Sequence, residues 1–159
     1  MKTLKRTFID EEEQIELDHS PHDLLQDPLF NKGTAFTRKE RKELGIETLL
    51  PYHVATIDEQ VEKCYSNIKK MKEGIGKYKF LMSLYNRNEV LFFRLLLNHP
   101  KEMLPIVYTP TVGDASINYS MIHGETRGVF ISYPDRDRMD EIIANIPKNR
   151  VDVIVVTDG

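Results

Sequence analysis

The stretch LPIVYTPTVG, residues 104–113, decides how this chain is read. An apolar run closes on Tyr108, and Thr109, Pro110, Thr111 and Gly113 follow at once. Pro110 has no amide to give a sheet ladder, and it pushes the residue before it away from helical geometry. The stretch therefore reads as a short strand over 104–108, then a turn, then a helix over roughly 113–122 with Thr111 as candidate N-cap. A tyrosine at the carboxyl end of a strand, beside a helix N-terminus, lies where open α/β sheets bind ligands.

Upstream the pattern is helical. Residues 1–28 are polar and acidic and read as an extended or partly disordered arm tied down near 24–30, and 31–33 reads as a turn. Thr37 with Glu40, and Thr56 with Glu59, have the spacing of capping boxes, and Gly45 ends the first of these helices. Val61, Cys64, Tyr65 and Ile68 recur at helical spacing until Gly74 and Gly76 interrupt. Tyr78, Leu81, Met82 and Tyr85 mark a second helix. Leu91, Phe92, Leu95 and Leu96 mark a third over 88–99, which Pro100 cannot continue.

Downstream, residues 128–132 and 151–156 are β-rich, with helices expected over roughly 113–122 and 136–145. Strands alternating with helices predict parallel pairing in a sheet covered on both faces. The expected fold class is therefore α/β: a polar arm (1–28), a helical region (29–100), and the first parallel strands of an α/β domain (101–159). VDVIVVTDG, residues 151–159, reads as a buried strand with a turn at Asp158-Gly159. A domain rarely stops at such a point, so truncation is expected.

Composition narrows the function classes. The 159 residues fit one ordinary domain, and 40% hydrophobic with 30% charged residues describes a soluble chain. A net charge of −3 leaves no electrostatic footprint for nucleic acid. The single cysteine, Cys64, allows no intrachain disulfide and reads as a small apolar residue on a helix. No run approaches the ~18–20 apolar residues of a membrane span. Lys2, Lys5 and Arg6 are followed by an acidic run at 10–13, which fits neither a signal nor a transit peptide, so the cytoplasm is expected.

The same blocks carry a family resemblance. LPIVYTPTVG resembles the signature that opens the substrate domain of malic enzymes. NKGTAFTRKERKELGIETLL (31–50), NRNEVLFF (86–93), RGVFIS (127–132) and VIVVTDG (153–159) are similar to further blocks of that family, in family order. The resemblance runs from about residue 29 to residue 159. It implies oxidative decarboxylation of (S)-malate to pyruvate and carbon dioxide, with NAD or NADP and magnesium or manganese. RGVFISY looks most like the bacterial NAD-linked type. It also implies that this chain is similar to the first quarter to third of such an enzyme. The substrate-binding arginine, catalytic lysine, acidic metal ligands and Gly-rich nucleotide loop of the family have no counterpart in it.

By the resemblance, Tyr108 matches the general acid that protonates the enolate left by decarboxylation. A free tyrosine, with a pKa of about 10, is a poor base but a serviceable acid when a cation stabilises its phenolate. From residue type alone, Tyr108 would simply pack its ring and hydrogen-bond its hydroxyl. Thr111, at the turn, is a candidate substrate contact, because helix N-termini favour anions such as malate. Lys63 and Arg87 match the positions where some animal members hold the activator fumarate between two arginines at the subunit interface. Arg87 is retained, whereas Lys63 loses the bidentate fork, so the pair also reads as two solvated bases. The family's use of these helices in its dimer interface implies a homo-oligomer.

Other patterns carry less. His19 and His22 have a helical ligand spacing but no further ligands nearby, and Asp135, Asp137 and Asp140 lack the glycine and glutamate of a calcium loop. Gly74-x-Gly76 has no preceding strand and no third glycine, so it is no phosphate loop. Two rival readings stay open. A malolactic enzyme shares the fold, but tends to place an acidic residue where this chain has Thr109. The other rival is a non-catalytic oligomerisation module or gene remnant.

Overall fold

The computed structural model describes residues 5–9, 12–16, 18–72, 74–122, 128–146, 151 and 153–157. They fall in two compact units, Met1–Gly124 and Glu125–Gly159. The turn expected at Asp158-Gly159, and Arg127 of the RGVFIS block, lie outside the described residues.

The first unit opens with an antiparallel hairpin, β1 (Lys5–Ile9) and β2 (Glu12–Glu16), with Thr7 opposite Gln14. Helix α1 (Pro21–Gln26) follows, capped by the Ser20 hydroxyl. A 3₁₀ turn at Gly33–Ala35 leads to α2 (Arg38–Glu43), where the expected Thr37–Glu40 capping box is formed. Gly45 adopts φ +66°, and the amides of Gly45 and Ile46 bond the carbonyls of Lys42 and Arg41. That is a Schellman ending, which needs a left-handed residue and so favours glycine.

Four helices then build the core: α3 (Ile57–Lys70), α4 (Ile75–Arg87), α5 (Glu89–Asn98) and α6 (Pro100–Val107). The Thr56–Glu59 box starts α3, and Asn88 caps α5 by accepting the Leu91 amide. Gly74 starts α4 at φ +92°. Val61, Ile68, Leu81, Leu84, Leu91, Phe92, Leu95, Met103 and Ile106 are buried together. Each such side chain contributes about 1.5–3 kcal/mol of transfer free energy. Leu24, Phe36 and Ile46 form a smaller cluster near the start of the chain. Helix α7 (Thr111–Ile117) and a 3₁₀ turn at Tyr119–Met121 complete the described part of this unit.

The second unit contains a 3₁₀ helix at Tyr133–Arg138 and α8 (Met139–Ala144), near the helix expected over 136–145.

The α/β expectation is overturned. Among the described residues there is no parallel strand pair, and the one sheet is the β1–β2 hairpin. Residues 104–107 form the last turn of α6, not a strand. Pro100 explains the misreading: it ends α5 but also occupies the first position of α6, where a missing amide costs nothing. Met103 and Ile106 are buried and Val107 half-buried, at helical spacing. Pro105 lies inside α6 on its exposed side. Residues 128–132, 151 and 153–156 are not in strands either; Phe130 is 70% and Val156 89% exposed. A parallel strand has no local hydrogen bonds of its own, so an apolar β-prone run alone does not make one.

Candidate functional site

Tyr108 closes α6 as its C-cap, with φ −129°, and its amide bonds the Leu104 carbonyl at 2.8 Å. The side chain is 68% exposed, and among the described residues no group hydrogen-bonds its hydroxyl. The next peptide bond, Thr109–Pro110, is cis. The chain then re-enters a helix at once, which holds Tyr108 at the corner between α6 and α7.

Thr111 is not the N-cap expected from sequence. Pro110 occupies that position without a side-chain bond, and Thr111 is the first helical residue, half-buried. The reason is local: the Val112 amide bonds the Tyr108 carbonyl at 2.9 Å and the Gly113 amide bonds the Pro110 carbonyl at 3.0 Å. The helix therefore starts earlier than the sequence signal implied, and main-chain carbonyls already hold two of its first amides.

Lys63 and Arg87 are both exposed. Lys63 lines a shallow open depression of about 550 Å³ with Glu62, Ser66 and Asn67, in which Arg87 has no part. Arg87 ends α4, and its carbonyl accepts from the Asn31 side chain at 3.1 Å. Arg87 also faces Cys64, whose thiol is pushed up by burial and only partly held down by that charge. A half-buried thiol in that state is a weak nucleophile.

Among the described residues no three His, Cys, Asp or Glu side chains gather as a metal ion requires. None of them would hold the divalent ion that the resemblance implies. Gly74 and Gly76 follow a helix rather than a strand, so they do not make a nucleotide loop.

Two polar constructions escaped the sequence reading. Arg41 is fully buried, and its guanidinium donates to the carbonyls of Phe36 (2.8 Å), Pro51 (2.6 Å), Thr34 (2.9 Å), His53 (3.2 Å) and Tyr52 (3.5 Å). It has no carboxylate partner among the described residues. Tyr65, on α3, stacks on His99 and donates its hydroxyl to Glu102. Neither has a spacing signature. The only signal for Arg41 was an arginine on the face of α2 that precedes Ile46.

Comparison with known proteins places these features. The family model described as malic enzyme, N-terminal domain, matches residues 85–159. A protein of Aeromonas hydrophila named NAD-dependent malic enzyme is 49% identical over 136 residues, 86% of this chain and 24% of that protein. Its namesake in Pseudomonas savastanoi pv. phaseolicola is 52% identical over 136 residues, and that of Pseudomonas aeruginosa 47% over 141. The chain spans about a quarter of the length of the curated relatives it matches. Identity of this order, over nearly all of the chain and through the Tyr108 corner, makes the chain similar to the N-terminal part of NAD-dependent malic enzymes.

Proposed function

We propose that this chain supplies the N-terminal part of an NAD-dependent malic enzyme, with Tyr108 as its proton donor. The observation that carries the reading is the 47–52% identity to NAD-dependent malic enzymes across 86–89% of the chain. NAD, when bound, would supply the hydride acceptor for oxidation of malate at C2, with the hydroxyl proton passing to a base. Carbon dioxide then leaves, and the enolate carbon takes a proton. Tyr108 gives that proton: its O–H bond breaks, a C–H bond forms on the former C3, and the phenolate is reprotonated for the next cycle. The exposed, unengaged hydroxyl of Tyr108 suits this step, because no hydrogen bond must first be broken. A magnesium or manganese ion, when bound, would supply Lewis acidity, and among the described residues no cluster of His, Cys, Asp or Glu is placed to hold it.

The finer assignments follow from the same reading. Thr111 contacts the substrate from the first turn of α7. Lys63 and Arg87 belong to an effector surface, although a lysine at 63 cannot clamp a dicarboxylate as a second arginine would. The protein works in the cytoplasm as a homo-oligomer joined through its helices. No described helix is long and apolar enough to cross a membrane. The test of assembly is sedimentation at micromolar concentration, where a clean monomer would remove that part of the reading.

The test of function is a chimera in which this chain replaces the matching N-terminal quarter of the Aeromonas hydrophila relative. Malate-dependent NAD reduction with manganese is expected in the chimera. Tyr108→Phe should lower kcat by about 10²–10⁴-fold with KM for malate within about tenfold. Near-normal turnover of that variant would refute the role of Tyr108. Lactate formed without net NAD reduction would favour the malolactic alternative.

A further inference from the structure

Helices α5 and α6 meet at one residue. His99 is the C-cap of α5 and the N-cap of α6, with φ −130° and ψ 52°. Its amide bonds the Leu95 carbonyl at 3.1 Å, and its carbonyl accepts from Glu102 at 3.2 Å and Met103 at 2.9 Å. The direction of α6 thus depends on the dihedrals of a single hinge. Tyr65, reaching from α3, grips both sides of it. Its ring lies flat on the His99 imidazole, with centroids 3.6 Å apart and planes 4° from parallel. Its hydroxyl donates to the Glu102 carboxylate, 2.8 Å and 2.9 Å from the two oxygens. The hydrogen bond to Glu102 also raises the phenol above its usual titration range, so the donor stays protonated.

This grip contributes little to stability. Glu102 is exposed, and solvent-exposed polar pairs add little to stability. The buried Met103 and Ile106 already hold α6 to the core. What the grip does control is angle. Helix α6 has 8 residues, about 12 Å of rise, and Tyr108 stands at its far end. A swing of about 5° at His99 moves Tyr108 by about 1 Å, and a misplacement of that size can cost about 10²-fold in rate.

We propose that Tyr65 and Glu102 are positioning residues that fix the tilt of α6 and so place the Tyr108 hydroxyl. The proposal rests on the reading of Tyr108 as proton donor, and its test separates the two. In the 159-residue chain labelled with ¹³C-tyrosine, the Tyr108 ring signals are assigned through Tyr108→Phe. Tyr65→Phe should shift the Tyr108 signals and leave those of Tyr133 in place. Glu102→Gln, which keeps an acceptor for the Tyr65 hydroxyl, should leave both in place. In the chimera, Tyr65→Phe should lower kcat about 10- to 100-fold with KM for malate within about twofold and the unfolding midpoint within about 2 °C. Glu102→Gln should stay within about threefold of the parent chimera. Unmoved Tyr108 signals in Tyr65→Phe would overturn the proposal. So would a loss of kcat that only accompanies a large fall in the unfolding midpoint. If Tyr108→Phe itself turns over normally while its signals still respond to Tyr65→Phe, the proton-donor reading fails and the grip on α6 stands.

Discussion

Between Ile57 and Val107 most apolar side chains bury one another, whereas between 128 and 156 most of the described ones face solvent. Leu81 and Leu95 are 0% exposed; Phe130 is 70% and Ile154 79% exposed. Both stretches are rich in aliphatic residues, mainly Leu in the first and Ile and Val in the second, so hydrophobicity alone does not separate them. The difference lies in where each kind of element finds its partner. A helix closes its own hydrogen bonds and needs only a neighbouring stripe, which the next helix in the chain provides. A β-prone run needs another strand for its main chain and two covering layers for its side chains. The first region has what it needs within about fifty residues, and the second does not find it among the described residues.

The comparison can be broken by substitution. Arg41→Met keeps the bulk but removes the donors to the Phe36, Pro51 and His53 carbonyls, while the Thr34 and Tyr52 carbonyls keep the Ala55 amide and the Arg38 side chain; a buried acceptor left unpaired costs about 1–3 kcal/mol. A total loss of about 3–5 kcal/mol is expected, read as a fall in urea midpoint by circular dichroism. A change under about 1 kcal/mol would mean that water replaces the guanidinium. Leu95→Ala, at the centre of the four-helix core, should cost about 2–5 kcal/mol in the same assay. A smaller loss would mean that the core collapses onto the gap.

A pH series sharpens the same contrast. The Thr56 amide and hydroxyl hydrogen-bond the Glu59 carboxylate and hold it below its usual 4.5. A carboxylate lowered on folding adds stability above the unfolded value, and that stability is lost as pH falls through the folded one. Urea midpoints should therefore decline below about pH 4.5, less steeply in Glu59→Gln. An identical decline in both proteins would remove Glu59 from the account. The smallest effect is expected in the second unit. Ile154→Ser should change the midpoint by less than about 0.5 kcal/mol equivalent, because the residue is already 79% exposed. A large loss would show that residues 151–156 are buried in solution.

Much of the helical unit was legible because its signals are local. The boxes at Thr37 and Thr56, the stop at Gly45 and the stripe from Val61 to Ile68 all depend on residues within a few positions of one another. The α/β reading failed where the signal was not local. An apolar run of five residues suits a strand or one turn of helix equally, and Pro100 decides between them by starting α6 as well as ending α5. At the candidate site, the sequence marked Tyr108 and Thr111 by the proline turn and the resemblance, but misplaced the cap by one residue. It could not mark the contact of Tyr65 with Glu102, which lie 37 positions apart on different helices.

The acceptors around Arg41 are all main-chain oxygens. No replacement at positions 34, 36, 51, 52 or 53 can therefore delete one of them, whatever side chain it brings. For this network, genetic vulnerability is concentrated in one codon. A deep mutational scan would show an intolerant column at 41 beside those of Phe36, Gly45 and Ile46, with positions 34 and 51–53 more tolerant.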